Sequence, residues 1–212
     1  MSRPTPAPAL LAALLCAALS GCLSTPKDAP AIYAPALATQ ADPAWPAVTW
    51  QLSIARPTAP RMMDSSRIAV SPAPGELQVY KGALWASAPG EMLEDGVLRA
   101  LEDSGKIPAV ARQGSGIGAD YRLVMDIRHF EADYAGAATP SALVEVNAKL
   151  LHTIDQSVIG TRTIRQAVPA DGTEVARVAD AFGRALQATS REIAGWVLET
   201  GQAHERTHAP RR

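Results

Sequence analysis

The stretch from Tyr121 to Leu150 limits the possible folds more than any other part of the chain. Tyr121, Leu123, Met125 and Ile127 alternate with Arg122, Asp126 and Arg128, and Val144, Val146, Ala148 and Leu150 alternate with Glu145, Asn147 and Lys149. A period of two puts every apolar residue of a strand on one side, so each strand has one buried and one wet face. The polar, glycine-containing stretch around Gly136 to Ser141 joins them, which predicts an antiparallel hairpin. A sheet with one apolar face needs a second layer on that face. The chain supplies it from about Glu174 to Thr200, where Val175, Val178, Phe182, Leu186, Ile193 and Trp196 recur at three-to-four spacing. That stripe suits a helix lying on the sheet better than one taking a partner helix.

Further elements surround this pair. Val48, Trp50, Leu52 and Ile54 alternate with polar residues and predict a strand; Ser66 to Ser71 and Glu76 to Gly82 predict two more, separated by a turn at Pro72, Pro74 and Gly75. A helix follows, with Ser87 as candidate N-cap, Pro89 in the first turn, Leu93, Val97, Ala100 and Leu101 on one face, and Gly105 past its end. Val158 to Val168 predicts a last strand. The expected fold is α+β: a mixed, largely antiparallel sheet with two helices packed on one face. Aromatic residues make up only 5% of the chain against 47% apolar, so the core must be aliphatic and alanine-rich.

The amino terminus carries a different message. Arg3 is followed by an apolar run from Ala9 that ends in Leu19-Ser20-Gly21-Cys22. A positive start, a short apolar centre and small residues at the end make a secretory signal, and the run is too short to span a bilayer. The cysteine directly after Ser20-Gly21 resembles the lipobox of bacterial lipoproteins. That resemblance implies cleavage between Gly21 and Cys22 and acylation of Cys22, palmitate included. Cys16 leaves with the signal, so no intramolecular disulfide is possible in the mature chain. One acyl chain binds reversibly and several bind lastingly, so a multiply acylated Cys22 makes a permanent anchor. Leu23 stands where an aspartate would commonly retain a lipoprotein at the inner membrane. The expected location is therefore the outer membrane, facing the periplasm, in preference to the inner one.

Residues 1–21 are thus expected to be the signal, 22–47 a lipidated linker, 48–200 the folded domain and 201–212 a disordered tail. Five prolines (Pro26, Pro30, Pro35, Pro43 and Pro46) mark the linker as extended, with a reach of about 75 Å at most. Loss of Arg3 leaves 19 basic against 21 acidic residues, which offers no footprint for nucleic acid.

No motif points to catalysis. Gly114-Ser115-Gly116-Ile117-Gly118 lacks the lysine of a phosphate loop and leads into a strand, so it reads as a turn. There is no Gly-x-Ser-x-Gly elbow. His129 and His152 sit on strands; His204 and His208 are four apart in the tail, where a pair with no fold around it makes a poor metal site. No metal or other cofactor is expected. Asp126 and Glu145 occupy wet strand faces, where solvated charges are the usual reading. Tyr80 and Trp85 each read as core; if exposed, they are the candidate partner contacts, because aromatics dominate interface energetics.

Beyond these readings, the chain resembles the ABC-type transport auxiliary lipoproteins, the family of the lipoprotein subunit of Pqi-type and related Mce-domain lipid transporters. The resemblance rests on Leu84-Trp85-Ala86, on Leu93 with Ala100-Leu101-Glu102-Asp103-Ser104-Gly105, on Ala119-Asp120-Tyr121-Arg122-Leu123 with Phe130-Glu131, on Thr161-Arg162, and on Ala181-Phe182, Ala185-Leu186 and Ile193-Ala194-Gly195-Trp196. It implies a domain similar to the N-terminal domain of TolB. It also implies a non-catalytic role beside an Mce-domain protein and an ABC permease and ATPase, with the membrane engaged through the acyl chains and a homo-oligomer allowed. A periplasmic lipid-binding carrier and a structural envelope lipoprotein are the competing expectations.

Overall fold

The computed structural model describes residues 29–37 and 40–208. Gly21 and Cys22 lie outside the described residues, as do the signal and residues 209–212. The elements run β1 (Ala31–Tyr33), β2 (Gln51–Ile54), β3 (Arg67–Ser71), β4 (Gln78–Trp85), α1 (Pro89–Glu102), β5 (Ala109–Arg112), β6 (Tyr121–Asp133), β7 (Ser141–His152), β8 (Val158–Pro169) and α2 (Val175–His208).

β6 is the axis of the sheet. Along one edge it pairs antiparallel with β7 from Tyr121↔His152 to Asp133↔Ser141, and β8 continues antiparallel beyond β7. The expected hairpin is therefore present. The other edge of β6 is shared by two strands that both run parallel to it. β2 takes the early end at Leu52↔Tyr121 and Ile54↔Leu123, and β3 takes the late end at Val70↔Ala132 and Ser71↔Asp133. Each carries further strands outward: β2 holds β5 in parallel, while β3 holds β4 antiparallel and β4 holds β1 in parallel. Four of the seven pairings are parallel, so the sheet is mixed and not the largely antiparallel one expected. Apolar alternation says which face of a strand is buried; it carries no record of strand direction.

Both helices pack into one core with the sheet. α2 lies across β7 and β8, and α1 packs on α2 and β5. Phe130 and Phe182 stack at 4.8 Å, and Trp85 meets Phe182 edge-on at 5.2 Å, so the sheet–helix interface closes around three aromatic rings. Each such ring contributes about 1.5–3 kcal/mol by leaving water. α1 and α2 approach closely because Gly96 faces Ser190, where a Cβ would overlap the serine hydroxyl. α1 begins at Pro89 after Ala88, with no side-chain cap; Ser87 is one residue too early to serve. Gly105, at φ 60°, turns the chain in the left-handed region beyond the helix, as its position predicts.

Two boundaries differ from expectation. The proline-rich stretch expected to be free is docked from Ala31 onward. Ala31–Tyr33 pairs with Ala83–Trp85, Trp45 is only 7% exposed, and the Gln187 side-chain amide donates to the Ala36 carbonyl at 2.8 Å. Proline forbids central strands but tolerates edges, and Ala31–Tyr33 is a proline-free edge segment. At the other end, α2 continues through 201–208, part of the expected disordered tail. Its last turns lack an apolar stripe but are held by Tyr121, described below.

Candidate functional site

The wet face of the hairpin is not uniformly polar. At the late end of β6 it forms a groove of about 460 Å³. Met63, Pro74, Leu77 and Leu143 give it an apolar floor; Glu131 and Arg165 give it charge, and His129 adds an imidazole. A β-bulge between Ile127 and His129 builds this arrangement. It turns His129 to the wet face opposite Glu145 while Phe130 still enters the core, 1% exposed. At the bulge the Phe130 N–H donates to Glu131 Oε2 at 2.7 Å, and Glu131 Oε1 lies 2.6 Å from His129 Nδ1. The carboxylate of Glu131 is thus buried with both oxygens engaged, as a buried charge requires. Along the rim, Glu145 sits between Arg165 at 3.4 Å and Arg128 at 3.8 Å.

This geometry removes the paired-carboxylate reading of Asp126 and Glu145. Asp126 stands opposite Asn147 and accepts from Thr58 Oγ1 at 2.8 Å, while Glu145 stands opposite His129 and answers two arginines. Each carboxylate has its own partners.

Of the candidate partner contacts, Trp85 is core: it is 2% exposed and packed on Phe130 and Phe182. Its place at the end of β4, directly before α1, turns it inward. Tyr80 is half-buried. Burial pushes its phenol well above the ordinary tyrosine range, and the neighbouring Tyr134 phenol adds to this. Tyr134 and Tyr80 both pack against the core and neither lines the groove, and Trp85 lies beneath the sheet.

Two further clefts flank the helices. One of about 290 Å³ runs between Tyr33–Ala36 and Ala179, Gly183 and Gln187 of α2. The other, of about 400 Å³, is charged: Arg56, Glu91, Glu94, Asp95 and Arg112 face it. Arg112 pairs with Asp95 and, at 3.4 Å, with Glu94. Burial holds the Glu94 carboxyl above the usual carboxylate range, outweighing the nearby Arg112.

A polar cluster at the early end of β6 was not anticipated. The Tyr121 hydroxyl donates to Glu205 Oε1 at 2.6 Å and lies 2.8 Å from His204 Nδ1, so the supposed tail is fastened to the sheet. Burial, then His208 and His152, hold the His204 imidazole below the usual histidine range. The His204–His208 spacing was visible in the sequence; the helix that carries it was not. Gly114 to Gly118 remains a loop before β6, with Gly114 and Gly116 at positive φ. No described helix is long and apolar enough to cross a membrane.

The family model for the ABC-type transport auxiliary lipoprotein component matches residues 31–194. It begins at β1, in agreement with the docked segment. A crystal structure from Xanthomonas campestris is 53% identical, superposes with a TM-score of 0.80, and covers 82% of this chain and 98% of its own. A Chlamydia trachomatis hypothetical protein shares the fold at 11% identity, with a TM-score of 0.53 over 74% of this chain and 99% of its own. An uncharacterized protein of Bradyrhizobium diazoefficiens is 24% identical over 74% of this chain; the chain spans 41% of that relative's length.

Proposed function

We propose, since this chain belongs to the family of ABC-type transport auxiliary lipoprotein components, that it is a lipid-anchored periplasmic adaptor of an Mce-associated ABC system carrying phospholipids or other hydrophobic compounds. The observation that carries this reading is the family match from β1 into α2, preceded by the Leu19-Ser20-Gly21-Cys22 lipobox. An auxiliary component implies a non-catalytic role, with ATP hydrolysis and membrane passage left to the permease and ATPase. Acylated Cys22 supplies the anchor, and Leu23 favours the outer membrane. The groove floored by Leu77 and Leu143 is the surface through which the adaptor meets an Mce-domain partner. Its apolar floor with a charged rim has the make-up of a protein contact surface.

The carrier reading needs an apolar space between sheet and helices. Trp85, Phe130 and Phe182 fill that layer, which favours the adaptor. Affinity purification of the full-length lipoprotein from its native membrane, followed by mass spectrometry, tests the choice. Mce-domain and permease subunits are expected to co-purify. Recovery of the acylated chain alone would overturn the adaptor reading. Bound lipid on the non-acylated chain in native mass spectrometry would move the weight to the carrier.

A further inference from the structure

The β1–β4 side of the sheet carries unpaired cations beside exposed aliphatic side chains. Tyr33 lines a cleft against α2 and Trp85 packs on Phe182, so both point to the helix side. Alternation along each strand then turns Ile32 and Leu84 to the other face. Ile32 stands opposite Leu84 across β1 and β4, and Leu84 stands opposite Arg67 across β4 and β3. The three make a cross-strand row in which Ile32 is 68% exposed, Leu84 half-buried and Arg67 exposed. The turn that leads into Arg67 adds Arg61 and Met62, both exposed, and Lys81 is exposed on β4 itself.

Charge on this patch is not balanced. Elsewhere arginines face carboxylates, as Arg128 and Arg165 face Glu145. Among the described residues, no carboxylate lies within ion-pair distance of Arg61, Arg67 or Lys81. Asp64, the acid of the same turn, is directed at Gly90 in the first turn of α1. Exposed aliphatic side chains set among uncompensated cations suit an anionic lipid surface: the aliphatics enter the boundary between headgroups and acyl chains, and the cations meet the headgroup charge.

The patch also lies where the chain enters the fold. Ile32 is ten residues beyond Cys22, at most about 35 Å of extended chain. From there the docked segment runs along α2, past Gly183 at Pro35, Gly195 at Trp45 and Gly201 at Trp50. The turn after β7, where Ile154 is 82% exposed, lies beside His204, which is 21 residues of helix, or about 30 Å, beyond Gly183. A tether entering at β1 therefore holds Ile32 near the membrane and leaves Ile154 far from it.

We propose that Ile32, Met62 and Leu84, with Arg61, Arg67 and Lys81, form a surface that rests on the anionic face of the membrane holding the anchor. This rests on the lipid anchor of the proposed function. Met63, next to Met62, lines the groove, so the membrane contact and the surface offered to the partner adjoin.

The test uses the full acylated chain. With Cys16 removed and Cys22 acylated, an introduced cysteine is the sole thiol of the mature protein. Ile32→Cys, Met62→Cys and Ile154→Cys variants are labelled with a solvent-sensitive fluorophore and reconstituted into phosphatidylcholine vesicles holding about one-third phosphatidylglycerol. Thermal melts check that each variant folds, and flotation checks that it is anchored. On floated chains, nitroxide-bearing lipid is expected to quench the probes at 32 and 62 and to leave the probe at 154 bright. Adding Arg61→Glu and Arg67→Glu to M62C should abolish the quenching at 62, as should vesicles of phosphatidylcholine alone. A chain that floats while its probes at 32 and 62 are quenched no more than the probe at 154 overturns the contact and leaves the anchor standing. A chain that does not float overturns the anchor, and this contact with it.

Discussion

Trp45 packs against Gly195 so closely that a Cβ on Gly195 would lie 2.5 Å from the indole Nε1. The amino-terminal segment and α2 therefore touch where only glycine fits. By helix propensity alone, Gly195→Ala would gain about 1 kcal/mol. Overpacking a rigid, buried indole costs about 1–3 kcal/mol, and this effect wins. A net loss of up to about 2 kcal/mol is expected in denaturant unfolding. A more stable G195A would show that Trp45 is not docked.

The same contact predicts where the domain begins. A chain starting at Val48 lacks β1 and Trp45, whereas one starting at Ala29 keeps both. Removing a buried tryptophan side chain costs about 3–5 kcal/mol, so the shorter chain should be less stable by at least about that much. Equal unfolding midpoints would restore the view that residues up to 47 are a linker.

Trp85 and Leu77 should behave in opposite ways. Trp85→Ala removes one ring of a buried trio and is expected to cost about 3–5 kcal/mol of stability. Leu77 is 36% exposed on the groove floor, so Leu77→Asp should change stability by no more than about 0.5 kcal/mol. It should nonetheless lower co-purification of the proposed Mce-domain partner. Unchanged capture by a folded L77D would remove the groove as the contact surface.

Glu94 gives a pH prediction. Its carboxyl is held above the usual range chiefly by burial, so the folded state binds a proton more tightly than the unfolded state. The ionised form thus costs stability above the folded value, and the cost fades as pH falls through that value toward the unfolded one. Glu94→Gln is expected to be more stable than the wild type at pH 7, with the gap narrowing at acid pH in thermal melts. A gap of opposite sign at pH 7 would mean that the Arg112 contact outweighs burial.

Much of the hairpin and of the helix covering it was legible, because alternation along β6 and β7 and the Val178–Phe182–Leu186–Ile193 stripe report burial directly. Strand direction was not, since β2 and β3 meet one edge of β6 through long-range pairings that no local period encodes. The docked segment was hidden by its prolines, although Tyr33 and Trp45, two large aromatics in a supposed linker, were a usable signal. The last turns of α2 were missed because the apolar stripe ends near Trp196; they are held by hydrogen bonds to Tyr121. The groove was out of reach because its lining comes from the β3–β4 connection and the bulge in β6, which meet only in the folded sheet.

The docking of Ala31–Tyr33, Ala36 and Trp45 shortens the leash. A chain anchored at Cys22 and held from Ala31 has only nine residues, 22–30, between lipid and fold. Fully stretched, these span about 30 Å, well under half of what the whole proline-rich stretch would allow. The volume the domain can sweep falls roughly as the cube of that reach, so its effective concentration at the surface of its own membrane rises accordingly. Under the proposed function, an adaptor tethered at Cys22 would not search the periplasm for its partner; the partner would have to come to the membrane.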